Sequence, residues 1–302
     1  MLTVRSCSLS SKSVANRQIS QVMLRFYTGK TVDEFYTVPL NQSMKIVQHE
    51  YFNKSRCIVV YIFGYETRPR DAATVQVINA YLQANKYNLV LVDWSAITAN
   101  NAYNVAVSLM VAIAPDIAKS IDTMLDSGVE LCHLAGHSLG AQCTGAVARS
   151  MRHRVHHIIA LDPAGPLFYL PLKCARALSK DDADCVEAVR TDAGGLGAPP
   201  VVSVGKVDYY VNGGVRSQPN CTDDRVPNQN SPNVETGCSH NRALSIMAGA
   251  IRNFVGLIAV RCSSWPEFLT GTCRHNTLMA IGNCSSSSQP GTYFLRTNST
   301  QP

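Results

Sequence analysis

The chain has 302 residues, 46% of them hydrophobic and 16% charged, with a formal net charge of +6. That composition excludes a disordered or low-complexity protein and describes a globular chain with a substantial core. The positive excess is mild and scattered, with no dense basic run beside aromatics, which argues against a nucleic-acid surface. No apolar run reaches the roughly 20 residues that cross a bilayer, since the longest, residues 105–113, stops at Pro115.

In chain order, residues 1–20 are polar and serine-rich and read as an extended lead-in, without the apolar core of a signal peptide. Residues 22–26 and 35–38 read as short strands around the turn Thr28-Gly29-Lys30. Residues 57–63, CIVVYIF, are continuously apolar and β-rich, which suits a strand buried on both faces of a parallel sheet. Helical spacing of apolar residues marks 70–84, and a second buried strand follows at 88–93. Residues 104–125 predict a long helix, kinked or restarted at Pro115. Residues 131–135, 142–150 and 157–162 read as strand, helix and strand.

Beyond Pro166 loops lengthen, residues 242–257 give the last convincing helix, and the serine-rich stretch after Cys273 reads as a fraying tail. The alternation of strand and helix predicts an α/β fold: a central, mostly parallel sheet flanked by helices. One domain is expected over residues 21–275, with an N-terminal segment 1–20 and a C-terminal tail 276–302. Sheets of this kind carry their sites at the carboxyl ends of strands.

The chemistry concentrates at Gly136-His137-Ser138-Leu139-Gly140. A strand before this pentapeptide and a small-residue helix after it make a nucleophile elbow, in which a strained turn lifts the Ser138 hydroxyl clear at a helix N-terminus. Serine needs a base, and the base needs an orienting acid. Asp162 closes a strand before the rigid turn Pro163-Ala164-Gly165-Pro166 and is the candidate acid. His240, the only histidine between Asp162 and His275, lies just before the last helix and is the candidate base. Asp192 and Asp208 read as loop and turn residues, and His133, His137, His153, His156 and His157 as surface or supporting residues. Ser…Asp…His is the order of the α/β-hydrolase plan, which also needs two oxyanion donors. The backbone N–H groups of Tyr65, after Phe63-Gly64, and of Leu139 fit that role. The scheme calls for no metal and no cofactor.

Eleven cysteines are many for a reducing compartment. Cys174/Cys185, Cys221/Cys238 and Cys262/Cys273 bracket short loops without zinc spacing and read as disulfides of a secreted protein. Cys132 and Cys143 read as buried small apolar residues, while Cys7, Cys57 and Cys284 remain unassigned. Asn41, Asn53, Asn220, Asn283 and Asn298 each begin an N-x-[ST] sequon, in keeping with a secreted glycoprotein.

Taken together, Val92-Asp93-Trp94, the elbow, Leu161-Asp162-Pro163-Ala164-Gly165-Pro166, Asp208-Tyr209-Tyr210-Val211-Asn212-Gly213-Gly214, Gln218-Pro219-Asn220-Cys221 and Cys238-Ser239-His240 resemble the animal pancreatic-lipase family. The nearer likeness is to its single-domain insect and venom phospholipase A1-like branch, over residues 22–275. The resemblance implies an α/β-hydrolase fold, extracellular action on lipid esters, and a Ser138–Asp162–His240 triad. It also implies a lid at 221–238 and a second surface loop after Asp192. The family usually has histidine where Phe63 and Arg190 stand here. With no C-terminal sandwich following, no colipase partner is expected. The short, polar lid and second loop suggest phospholipid or galactolipid over triacylglycerol, so the expected activity is phospholipase A1 or neutral lipase. The alternatives are a non-catalytic lipid-binding relative, as insect yolk proteins are, and an intracellular esterase.

Overall fold

A computed structural model describes residues 12–169, 171, 173–221, 237–252 and 257–297, with side-chain burial given from residue 16. The elements in chain order are α1 (Lys12–Ile19), β1 (Met23–Tyr27), β2 (Phe35–Pro39), α2 (Met44–Val47), β3 (Ile58–Ile62), α3 (Ala72–Ala84), β4 (Asn88–Asp93), α4 (Ser95–Thr98), α5 (Tyr103–Leu125), β5 (Leu131–His137) and α6 (Leu139–Ser150). There follow β6 (His157–Leu161), β7 (Cys185–Arg190), β8 (Val207–Val211), α7 (Cys238–Ile251), β9 (Ile258–Arg261), α8 (Trp265–Leu269), β10 (Leu278–Ala280) and β11 (Gly291–Leu295).

The described strands form one sheet in the order β10-β9-β11-β8-β7-β6-β5-β3-β4-β1-β2. From β4 to β11 every pairing is parallel, while the two ends of the sheet are antiparallel. The α/β fold read from the sequence is therefore correct. The reason is visible in β3, where all five residues are buried. A strand covered by helices on both faces has no solvent side on which to alternate polar residues.

Helix α5 runs unbroken through Pro115. By length and composition alone it could cross a membrane. Here Val107, Met110, Ile113, Ile117 and Ile121 enter the core, and the helix packs against α6.

Several expectations are corrected. Residues 12–19 are helical, not extended. The helix expected at 242–257 begins at Cys238 and ends at Ile251, the short α8 follows it, and the lid residues 222–236 lie outside the described residues. The stretch after Cys273 is no fraying tail: it supplies β10 and β11, and β11 lies between β8 and β9. The serine-rich segment that suggested fraying is the turn between those strands.

Cys221–Cys238 and Cys262–Cys273 form as expected, and Cys143 is free and buried. The Cys174/Cys185 pairing is wrong: Cys174 is disulfide-bonded elsewhere, and Cys185 bonds Cys284. Cys185 opens a central strand, and its neighbours are set by the sheet, which brings the β10–β11 turn alongside. Cys132 is likewise no lone apolar residue but bonds Cys57. A register shift in the β3–β5 pair, where Ile58 faces Leu131 but Val59 faces His133, accommodates the bridge between adjacent strand starts.

Candidate active site

Ser138 stands between β5 and α6 at φ 56°, ψ −121°. L side chains rarely adopt such a backbone, and it persists only where its surroundings enforce it. Two glycines allow the enforcing contacts. A Cβ on Gly136 would lie 2.5 Å from the Gly140 carbonyl oxygen, and one on Gly140 would collide with the carbonyl oxygens of Ile62 and Phe63. The elbow is tied down further. Ser138 N–H donates to the Leu161 carbonyl at 3.0 Å, and Ala164 N–H donates to the Ser138 carbonyl at 3.1 Å.

Asp162 follows β6, also with positive φ, and is fully buried. Its Oδ1 accepts from the N–H groups of Thr191 at 3.0 Å and Asp192 at 3.2 Å, just past the end of β7. Its Oδ2 lies 2.6 Å from His240 Nδ1. His240 occupies the first turn of α7 rather than the loop before it, and the Cys221–Cys238 disulfide fixes that turn.

His137, the neighbour of Ser138, packs its ring on His240 with centroids 4.6 Å apart. Its Nε2 is 3.2 Å from the His240 carbonyl oxygen, so it must carry the proton there and donate. Burial, aided by the neighbouring His240, pulls the His137 imidazole down to about 3 and keeps it neutral. The structure thus brings Asp162, His240 and the elbow together. Among the described residues the Ser138 hydroxyl makes no hydrogen bond. Catalytic contacts are often long without substrate and tighten on binding.

The Phe63-Gly64-Tyr65 turn abuts the serine: a Cβ on Gly64 would be 3.0 Å from Ser138 Cβ. Trp94 Nε1–H holds the Phe63 carbonyl at 3.2 Å. The Tyr65 hydroxyl donates to the Asn101 carbonyl at 2.8 Å, and its ring meets the edge of Tyr103. Leu139 opens α6, where first-turn amides have no intrahelical acceptor. Tyr65 thus follows the glycine that abuts Ser138, and Leu139 follows Ser138 itself.

Sequence reasoning missed Arg216 and misread two acids. Asp192 is no plain loop residue. It is fully buried, accepts from Arg216 Nε and Nη2 at 2.9 Å each, and accepts from Leu196 N–H at 2.9 Å. Asp208 is no turn residue: it lies in β8, is buried, and accepts from Ser203, Val204 and Gly205. Reading β7 as a strand would have placed Asp192 at a strand end. Its Glu187 and Arg190 hid the apolar run. Among the described residues, two groups offer metal-ligating atoms within 4.8 Å of one another, Asp162/Asp192/His240 and Cys262/Glu267/Cys273. The first is taken up by the hydrogen bonds above, and the second has its sulfurs in a disulfide.

The Lipase family model matches residues 3–302. The chain belongs to the lipase family. Among its relatives, Lipase member H-B of Xenopus laevis is 31% identical over 229 residues, 74% of this chain and 48% of that protein. Phospholipase A1 member A of Mus musculus is 33% identical over 225 residues, again 74% and 47%. The human Phospholipase A1 member A is 32% identical over 232 residues, 75% and 48%. This lipase-family chain thus spans about half the length of the curated relatives it matches. Among solved structures, a putative hydrolase of the alpha/beta superfamily from Xanthomonas campestris is similar at 18% identity, covering 48% of this chain and 76% of its own, with a TM-score of 0.34. At that score the fold assignment rests on the sheet itself.

Proposed function

We propose that this chain is a serine hydrolase of lipid carboxylic esters, with phospholipid cleaved in the manner of a phospholipase A1 as its preferred reaction. One observation carries the reading. His240 Nδ1 meets a fully buried Asp162 at 2.6 Å, directly beside a serine held in a strained turn.

In this scheme His240 takes the proton as Ser138 Oγ attacks the ester carbonyl. It then returns the proton to the leaving alcohol, and water releases the acyl group by the same route in reverse. Asp162 orients the ring and stabilises its charged form. The N–H groups of Tyr65 and Leu139 hold the developing oxyanion, each supplying about 3–4 kcal/mol at the transition state.

The phospholipid preference is supported by relatives that carry the name Phospholipase A1 member A and by the short stretch between Asp192 and β8. Four described disulfides favour an oxidising, extracellular setting, where the partner is a membrane or lipid aggregate.

The test compares phosphatidylcholine vesicles with emulsified triolein, using the parent chain and Ser138→Ala. Faster phosphatidylcholine hydrolysis, abolished by Ser138→Ala, is expected. A strong preference for triolein ends the phospholipase reading. Failure of the parent to react with a fluorophosphonate ester probe ends the enzyme reading and favours a non-catalytic lipid-binding protein.

A further inference from the structure

Arg190 closes β7 with its side chain wholly out of solvent, and among the described residues no carboxylate forms an ion pair with it. Its guanidinium spends its donors on main chain and, from Nη1–H at 3.4 Å, on the Tyr210 hydroxyl. Nη1–H reaches the Val202 carbonyl at 3.1 Å, and Nη2–H reaches the carbonyls of Ala198 at 2.5 Å and Pro199 at 3.0 Å. The Tyr210 ring lies against the guanidinium, 5.3 Å from its carbon, and the Tyr210 hydroxyl donates to the Pro200 carbonyl at 2.9 Å. A buried cation with no anion in contact is costly, and among the described residues Nε has no hydrogen-bond partner. The buried Asp208 carboxyl, raised by burial, is drawn back down by the Arg190 charge but makes no ion pair with it.

The carbonyls that Arg190 gathers belong to one short segment, 198–202, and Gly197 leads into it. A Cβ on Gly197 would lie 2.7 Å from Asp162 Oδ1 and 2.8 Å from Oδ2, so the Gly197 main chain roofs the carboxylate. Two cross-links stitch the roof to the turn after β6: Ala198 N–H to the Pro163 carbonyl and Gly165 N–H to the Leu196 carbonyl, each 2.8 Å. On the other side, the amides that bind Asp162 Oδ1 belong to the two residues directly after Arg190. The Arg190 side chain thus holds one wall of the acid's cage, and its main chain leads directly into the other.

We propose that Arg190 is a positioning residue for Asp162. By drawing segment 198–202 down it holds Gly197 over the carboxylate, excludes water, and leaves the carboxylate the Thr191 and Asp192 amides and His240 as hydrogen-bonding partners. The proposal rests on the reading of Asp162 as the triad acid. A displacement of about 1 Å in such a group costs on the order of 100-fold in rate.

The experiment uses the full chain, a soluble p-nitrophenyl ester, and active-site titration with a fluorophosphonate. An unlabelled parent would sink the serine-hydrolase reading before this one is reached. With a labelled parent, Arg190→Met is expected to lower kcat per titrated site about 10- to 100-fold with KM within about twofold. Arg190→Lys, which keeps the charge but not the fork, should fall between the two. Gly197→Ala acts at the same contact from the other side. It should lower kcat with KM likewise held, and combining it with Arg190→Met should add little, because both loosen one contact. A purely structural role predicts otherwise: a lower melting temperature with kcat per titrated site within twofold of the parent in Arg190→Lys and Gly197→Ala. That result overturns the proposal, even if Arg190→Met does not fold.

Discussion

Arg216 reaches Asp192 with two donors, Nε and Nη2, each 2.9 Å from a carboxylate oxygen of a residue that solvent does not touch. The carboxylate of Asp162 is within 4.8 Å of that of Asp192, so Arg216 neutralises the second of two adjacent buried acids. Removing one partner of an enclosed pair costs about 3–5 kcal/mol, and the one-third exposure of the Arg216 side chain draws that down to about 2 kcal/mol. Arg216→Ala is therefore expected to lower the urea midpoint by the equivalent of that amount. It should also lower kcat, because the freed Asp192 charge then acts on the Asp162–His240 pair. An unchanged midpoint and unchanged kcat would remove Asp192 from the site.

Two buried imidazoles make stability fall in acid. Burial pulls both His133 and His137 down to about 3, with His157 adding at His133 and His240 at His137. Above about pH 6.5 both rings are neutral whether the chain is folded or not, so neither contributes a pH dependence. Between about 6.5 and about 3 the unfolded rings take protons that the folded rings refuse, so the unfolded state gains and stability drops as pH falls. Each ring adds a slope approaching about 1.4 kcal/mol per pH unit in that window. Urea midpoints at successive pH values from 7 to 4 check this. His133→Gln should give a shallower decline than the parent, and an identical slope would contradict the assignment.

The first half of the chain is legible because its strands are buried on both faces and so are continuously apolar, as in β3 and β4. The elbow is legible because its steric demand falls on glycines at fixed spacing. The second half hides its strands. In β7 the charged side chains of Glu187 and Arg190 are buried among apolar neighbours, each compensated by partners far away in sequence: His157 for Glu187, the 198–202 carbonyls for Arg190. No local pattern announces such a compensation. The same reason explains the disulfides. Cys221–Cys238, 17 residues apart, is readable as a loop closure, whereas Cys185–Cys284, 99 apart, is decided by strand order. Chain order alone proposes Asp162, Ser138 and His240, while the contacts of Arg216 and Arg190 are visible only in the fold.

The elbow makes a sharp steric prediction. Any side chain at Gly140 meets the carbonyl oxygens of Ile62 and Phe63, which belong to β3 and the Phe63-Gly64-Tyr65 turn and cannot move aside like a flexible side chain. Gly140→Ala should cost about 1–3 kcal/mol by overpacking and displace the Phe63-Gly64-Tyr65 turn from Ser138. Thermal unfolding together with fluorophosphonate labelling reads both effects. A variant with parental melting and labelling rate would mean that β3 and α6 are less closely apposed than described.

The Tyr65 hydroxyl gives a milder test of the same turn. Its bond to the Asn101 carbonyl is a single neutral hydrogen bond, worth about 1 kcal/mol. Tyr65→Phe keeps the ring against Tyr103 and removes only that anchor. Folding should be nearly intact, with kcat on a soluble ester down several-fold and KM little changed, since only the Tyr65 amide would drift from the oxyanion. A rise in KM at constant kcat would instead place the Tyr65 side chain in substrate binding.

The C-terminal strands should prove indispensable. β11 is hydrogen-bonded to β8 on one side and β9 on the other, with Tyr293 and Leu295 buried in the core. Its connection is fastened to the sheet by Cys185–Cys284, and Gly282 N–H donates to Glu187 at 3.2 Å. Ending the chain at residue 275 would expose the length of β8 as an open edge and strip the neighbours of those core residues. Such an edge templates aggregation. The truncated chain is expected to be insoluble. The full chain with Cys185→Ala and Cys284→Ala should fold but lose on the order of 4 kcal/mol, as the opening of a roughly 100-residue loop implies. Soluble expression of the truncation with parental melting would show that the sheet stands without β10 and β11, and would return residues 276–302 to the status of a tail.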